Sequence, residues 1–481
     1  MEIIKERYYL YSNRVILGLV AGLAASCNSG KVDNKDTLAR PNLVFVFADQ
    51  WRAQATGYAG DINAITPNLD RLAGESVVFK TCISTCPVSS PYRASLLTGM
   101  YPLSHGIFYN DKHLADTLVT IAEIYREYGY STGYIGKWHL NGHPRGEDRS
   151  RYRALPVQKE NRQGFDYWKV MECTHNYNNS EFYDEDNIKH TWQGYDAAMQ
   201  TDSAVAYIER NKGHPFILFL SWGPPHDPYQ TAPDEFRKLY GEREKLHLRS
   251  NIPDSLSGEA IKDLEGYYAH IAALDTYIGK LQAAIQNAGI EKNTIFVFTS
   301  DHGDMLKSHA QDRKQKPWDE SILVPFILKY PAGLKEPGIV SAPFVTEDIM
   351  PTLLGLSNIN IPQQVEGEDF SGYLLGKAGA PSACGLIMCP VPFHQWSREL
   401  GGREYRGIRT ERYTYVRDLN GPWLLFDNDN DPLQMKNLIN LPGYAGLQKD
   451  MESELSEMLK RTHDDFREAD YYMNKWGYDY D

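Results

Sequence analysis

Along the chain, continuous apolar runs alternate with stretches whose apolar residues return every three or four positions. The runs are NLVFVFADQ (42–50), Phe216–Leu220 and NTIFVFTSDHGD (293–304). A run without polar interruption marks a strand covered on both faces. A further strand is expected in STGYIGKWHL (131–140), after a helix and turn in TLVTIAEIYREYGY (117–130). Thr66 is the expected N-cap of a helix with Pro67 at its first position. MQTDSAVAYIERN (199–211) reads as an amphipathic helix, and Ile271, Leu274, Ile278, Leu281 and Ile285 share one face of a longer one. Strands alternating with helices predict an α/β fold whose large, mostly parallel central sheet is flanked by helices. The tail differs. YRGIRTERYTYVRD (405–418) alternates like a strand with one exposed face, GPWLLFDNDNDP (421–432) is rich in turn residues, and LQKDMESELSEMLKRTHDDF (447–466) reads as an amphipathic helix. This predicts a smaller C-terminal antiparallel-sheet subdomain.

Ahead of the first strand, RVILGLVAGLAASC (14–27) joins Arg14 to an apolar run, Val15 to Ala25. That run is shorter than the ~20 residues a bilayer span takes, and its basic flank and small residues have the form of an export signal. Cys27 after small residues resembles a bacterial lipoprotein box, with Ala24 where leucine is usual; the alternative is a plain secretory signal. The expected organisation is signal 1–27, tether 28–40, catalytic α/β domain 41–380 and C-terminal α+β subdomain 381–481. A hydrophobic content of 42% permits a normal core. A net charge of −13 argues against a nucleic-acid surface, so any anion must be held by local cations or a metal. Cys82, Cys86, Cys173, Cys384 and Cys389 show neither zinc-site nor disulfide spacing and read as small buried hydrophobes.

In parallel sheets ligands bind at the carboxyl ends of strands, and polar residues collect at those ends here: Asp49, Lys137, His139, His226, Asp301 and His302. Taken singly, either aspartate would cap the next helix, and a loop histidine or lysine would be solvated. Taken together, two facing carboxylates call for a cation between them, and Gln50 adds a neutral oxygen that suits a hard ion. Lys137 and His139 alternate, so on a strand they point the same way. With Lys314 and Arg93 they form a site for an oxyanion.

SSPYRASLLTG (89–99) resembles the signature of the type I, formylglycine-dependent sulfatases: Cys or Ser, any residue, Pro, any residue, Arg, then Thr-Gly. FADQWR, TPNLDRLA, YIGKWHLNG, SDHGDML and IRTERYTYVRD resemble further segments of that family, in the family's order. The resemblance implies an alkaline-phosphatase-like sandwich and oxidation of Ser89 to formylglycine (3-oxoalanine). Cys86 does not fit the signature, because Val88 and Ser90 stand where Pro and Arg are needed. A serine-type site implies a maturation enzyme that works without oxygen, and a folded but inactive protein in a host lacking it. The resemblance further implies that Asp49, Gln50, Asp301, His302 and residue 89 bind Ca2+. Gln50 stands where the family most often has Asp, which removes one negative charge. Arg93 would hold the modified side chain; Lys137 and Lys314 would bind sulfate oxygens; His139 would assist the second hydroxyl. His226, with Lys314, would protonate the leaving oxygen. Lys316 is a rival to Lys314, since RKQKPWDE (313–320) departs from the family's form, and His309 is a further candidate near the sulfate.

Two polar-aromatic loops, FYNDKHL (108–114) and THNYNN (174–179), are expected at the mouth, with Asn110, Asp111, His113 and His175 as sugar contacts or ordinary surface residues. The expected activity is exo-acting O-desulfation of a sulfated saccharide. The rivals are a phosphate or phosphonate ester hydrolase of the same fold and an idle glycan-binding lipoprotein.

Overall fold

The computed structural model describes residues 40–241 and 246–480. Cys27, the whole signal and the tether up to residue 39 lie outside the described residues. The expected parallel sheet is the centre of the molecule. Its ten strands run Gly338–Val340, Val77–Phe79, Phe326–Lys329, Thr294–Ser300, Asn42–Asp49, Phe216–Pro225, Ser131–Lys137, Tyr167–Met171, Glu181–Tyr183, Lys189–Thr191. The four strands from Thr294–Ser300 to Ser131–Lys137, with Tyr167–Met171 beside them, pair in parallel. Antiparallel pairs appear only toward the two margins.

The uninterrupted apolar runs follow from two-sided burial. Val44, Val46, Leu218, Leu220, Phe296 and Phe298 face helix Ser257–Asn287, where Ile271, Leu274, Ile278, Leu281 and Ile285 are buried as the spacing predicts. Leu43, Phe45, Phe47, Ile217, Phe219 and Val297 face the opposite layer, with Tyr92, Ile121 and Ile349. Helix Ile121–Glu127 starts at a capping box, with the Thr120 hydroxyl and the Glu123 carboxylate each satisfying the other's backbone amide. Thr66 precedes helix Pro67–Gly74 but makes no side-chain cap; its hydroxyl serves Gly57 and Asp70 instead.

Register aligns the strand ends. Ala48 sits opposite Ser300, and Gly136 opposite Ser221, so Asp49, Asp301 and Lys137 emerge side by side. Gly136 has φ 104°, and a Cβ there would lie 2.0 Å from the Ser221 carbonyl. Only glycine lets the strand reach Lys137 in this conformation. The strand expected to stop at Leu220 continues to Pro225, with a bulge against Phe47–Asp49. Its two prolines therefore belong to the strand rather than to a loop.

Cys384–Cys389, Tyr405–Thr410, Tyr413–Asp418 and Gly421–Asp427 form an antiparallel sheet in that order. The expected exposed face does not exist. Leu386, Met388, Ile408 and Tyr415 pack with Leu455 and Met458 of helix Ala445–Arg461, while Ile387, Tyr405, Val416 and Phe426 pack on Ile83, Ile322 and Val345. GPWLLFD is thus a strand, with Leu424, Leu425 and Phe426 buried.

Candidate active site

Ser89 is the first residue of helix Ser89–Thr98, and every side chain of that helix is buried. Ser89 and Arg93 are therefore i and i+4 and lie on one helical face. Pro91 falls in the first turn, where its missing N–H removes no intrahelical bond. Gly99 ends the helix in the left-handed region, φ 65°.

Ser89 Oγ lies 3.4 and 3.5 Å from the Asp49 carboxylate oxygens and 3.2 Å from His302 Nε2. Ligand atoms of Asp49, Asp301 and His302 all lie within 4.8 Å of one another, and all three residues are buried. Gln50 donates its backbone N–H to Asp301 and its side-chain Nε2 to Asp304, at 3.0 and 2.7 Å, while its buried Oε1 has no hydrogen-bond partner among the described residues. A buried amide oxygen without a partner costs ~1–3 kcal/mol, which a cation would relieve. Two carboxylates, one amide oxygen and one imidazole fit a dication, mainly with hard donors. Burial holds His302 down to about 4, so its ring is neutral at ordinary pH, the form that ligates.

Arg93 bridges the two aspartates, with Nη2 3.3 Å from a carboxylate oxygen of each. Its Nη1 donates to the Lys137 carbonyl at 2.8 Å and to Ser221 Oγ at 2.6 Å. Lys137 Nζ lies 2.5 Å from Asp49 Oδ2. Burial alone would raise the Asp49 carboxyl; Lys137, His226, Lys314 and His302 outweigh it and hold the group well below its ordinary value. Two carboxylates against two cations make the bare site nearly neutral. A bound dication then leaves the site positive, as an oxyanion requires.

His139 does not extend the strand. Ser131–Lys137 ends two residues earlier, and His139 stands in the left-handed region at φ 60°. It reaches the same cleft as Lys137 by that turn rather than by strand alternation. Opposite, His226 Nδ1 lies 3.0 Å from both the carbonyl and the carboxylate of Asp227, and its Nε2 lies 3.0 Å from Lys314 Nζ. Burial lowers the Lys314 ammonium, and Asp49 only partly offsets this. His175 stacks on His226 with ring centres 4.6 Å apart; burial, with His226 and Lys137, drives it down to about 2.

These residues line one cleft of about 260 Å³: Gln50, Ser89, Asn110, Lys137, His139, His175, His226 and Lys314. A larger hollow of about 580 Å³, bordered by Tyr58, Val78, Phe79 and Ile339, holds none of these groups.

The sulfatase family model matches residues 41–359. The chain belongs to the sulfatase family. A second model, for the C-terminal part of N-sulphoglucosamine sulphohydrolase, matches residues 309–461. The sulfatase is 42% identical to an ulvan-active sulfatase of Formosa agariphila, over 93% of this chain and 86% of that protein. It is 29% identical to an endo-4-O-sulfatase of Bacteroides thetaiotaomicron, over 93% of this chain and 97% of that one. A solved structure from work on glycosaminoglycan metabolism in Bacteroides thetaiotaomicron superimposes with a TM-score of 0.80 at 29% identity, covering 91% of this chain and 98% of that one. The protein is thus a sulfuric ester hydrolase. Its family implies a formylglycine and a metal ion, and the Asp49–Asp301–His302 cluster has the donors for one.

Several residues stand elsewhere in this sulfatase than the sequence suggests. Lys316 is fully buried, with Nζ on the Asp312 and Gln395 carbonyls and over the Trp396 ring, so Lys314 is the lysine in the cleft. His309 stacks on Trp318 and bonds Asn251, away from the cleft lining. His113 pairs with exposed Asp116 and the Asn141 carbonyl, and it too is not in the lining. Asp111 lies behind His139 rather than in the cleft. Conversely, Arg149, Arg153, Arg313, Phe393, His394 and Gln395 line the cleft and were not anticipated. The density of arginine in DRSRYR (148–153) was the available signal for two of them. Nothing in PFHQW (392–396) announces that the segment after the first strand of the small sheet folds over the site.

Proposed function

We propose that this sulfatase removes O-sulfate from the terminal residue of a sulfated glycan, with calcium at Asp49, Gln50, Asp301 and His302 and a formylglycine derived from Ser89. One observation supports this above the others: position 89 sits 3.2–3.5 Å from two of the candidate metal ligands, inside a cleft also lined by Lys137, His139, His226 and Lys314. The names of the relatives supply the glycan class, ulvan among them. A cleft of about 260 Å³ is small for a ligand site, typically ~300–1,000 Å³, and suits a single ring with its sulfate better than a run of sugars.

When formed, the hydrated aldehyde supplies two hydroxyls on one carbon, one to attack sulfur and one to release sulfate. The chain's own residues do the rest. Lys137 and Lys314 neutralise sulfate oxygens from opposite walls, where burial strengthens each interaction. Lys314 Nζ points at His226 Nε2, so the pair holds a proton where the leaving alcohol oxygen departs. The Asp227 carbonyl holds the other ring nitrogen of His226, Nδ1. Arg93 keeps the two aspartates in register beneath position 89.

Matured enzyme should release sulfate from at least one member of a panel of sulfated monosaccharides. Chelation should abolish that activity and calcium restore it. Matched phosphate esters should react at least ~100-fold more slowly, given the few kcal/mol that separate a preferred from a disfavoured substrate. Turnover of aryl sulfates alone, or of the phosphate esters preferentially, would overturn the reading. Phosphonate monoester hydrolases share the fold, with a TM-score of 0.71 at 21% identity for the enzyme from Agrobacterium radiobacter.

We further propose export with a lipid on Cys27, and maturation of Ser89 by an oxygen-independent enzyme before export. The Cys27→Ala protein is expected to move from the membrane to the soluble fraction of the native host. An unchanged distribution would refute the anchor.

A further inference from the structure

The family resemblance gives His139 a part at the second hydroxyl but leaves Asp111 without one. Asp111 is buried and its backbone is left-handed, φ 58°, as is that of His139. Two non-glycine residues in that region each cost ~1–3 kcal/mol and persist only where their surroundings hold them. Ser90 holds both: its Oγ donates to the His139 carbonyl at 2.8 Å and accepts the Asp111 N–H at 3.3 Å. The residue next to Ser89 thus ties the two segments to the helix start.

The Asp111 carboxylate is fully engaged. Oδ1 lies 3.1 Å from His139 Nε2 and 2.7 Å from Arg153 Nε, and Oδ2 accepts from Arg153 Nη2 at 2.5 Å. Arg149 Nη1 stands 4.0 Å from Oδ2, so both oxygens are turned to His139 and the arginines. Burial would raise this carboxyl, but His139 and Arg153 hold it well below its ordinary range, so it can only accept hydrogen bonds. His139 Nε2 must then carry the ring proton. Among the described residues, the buried Nδ1 has no hydrogen-bond partner, on a ring that lines the cleft.

We propose that Asp111, clamped by Arg153, is a positioning residue that fixes His139 in the Nε2–H tautomer and leaves Nδ1 bare to accept a proton from a hydroxyl at position 89. In that transfer the hydroxyl O–H bond breaks and an Nδ1–H bond forms; the O–H electron pair stays on oxygen, where it would close the carbonyl at position 89 as sulfate leaves with the electrons of its C–O bond. The imidazolium charge is offset by Asp111, and the proton passes to water. Burial, with Lys137 nearby, holds the His139 ring down to about 3, so the bare nitrogen is available throughout the neutral range. The inference rests on the reading of Ser89 given above, and its first test does not.

That test is nitrogen NMR of protein labelled in histidine and carrying unmodified Ser89, with His139→Gln used to assign the ring. His139 should show a protonated Nε2 and an unprotonated Nδ1. In Asp111→Asn, Arg153 claims the single amide oxygen and the NH2 group faces Nε2, so the tautomer should invert. Matured Asp111→Asn should lose ~10²–10⁴-fold in kcat, with KM changed less than ~3-fold, as expected for a misprotonated base. Should Asp111→Asn fail to fold, Arg153→Gln keeps the carboxylate but removes the clamp, and should give mixed tautomers and an intermediate loss. A protonated Nδ1 in the parent protein, or a variant with the parental tautomer and full kcat, would overturn the proposal. If the NMR shows the expected tautomer but the matured parent never releases sulfate, the functional reading fails and the tautomer assignment stands.

Discussion

Sulfate release by the matured enzyme is expected to fall by ~10⁴-fold or more in Ser89→Ala, because the nucleophile is removed and nothing beside it can replace it. The fold should be nearly indifferent. Ser89 Oγ makes only long contacts, 3.2–3.5 Å, to His302 and Asp49, so its loss should cost under ~1 kcal/mol. A single-turnover assay beside a thermal melt separates these outcomes: an inactive protein with a parental melting temperature is expected. Residual turnover within ~10-fold of the parent would remove Ser89 from the chemistry. Cys86, the other oxidisable residue nearby, packs with Val88, Leu386 and Met388 in the core beneath the small sheet, so it offers no route around the loss.

The second large effect is on stability. Arg93→Met should destabilise the metal-free protein by ~3–5 kcal/mol, the usual result of stripping the partner from buried charges. Asp49 and Asp301 are fully buried and share this one guanidinium, and the Lys137 carbonyl and Ser221 hydroxyl lose a donor as well. Lys137 alone cannot neutralise both carboxylates, since Nζ reaches only Asp49. A dication between the aspartates would take over part of the lost charge. Denaturant unfolding in chelator and in calcium should therefore show a smaller deficit with calcium. An Arg93→Met protein as stable as its parent in chelator would show that the two aspartates do not carry the charge assigned to them.

Much of this was legible in one dimension because the physics is local or periodic. Leu43–Ala48 and Ile295–Phe298 are apolar since helices cover both faces of the sheet, and a parallel sheet has to place Asp49 and Asp301, at the ends of these strands, together. The spacing of Ser89 to Arg93 was legible as a motif, and the helix explains it: four residues make one turn. The reading went astray where the deciding contact comes from far along the chain. Strand alternation could not give the turn at His139, because the strand stops at Lys137 and Ser90 and Glu172 fix the next residues. Alternation in 405–418 suggested a wet face that Ile83, Ile322 and Val345 cover from the catalytic body.

Determined by the sequence alone were the alternation of buried strands and helices, the strand-end aspartates, and the residue at position 89 with its arginine one turn on. Each follows from periodicity or from short-range geometry, which the order of residues already contains. Only the tertiary structure decided which lysine enters the cleft, that Asp111 serves His139 rather than a sugar, and that Phe393–Gln395 close one wall. Those outcomes depend on which groups meet across the fold and which are left without a partner once water is excluded, and no local pattern encodes that.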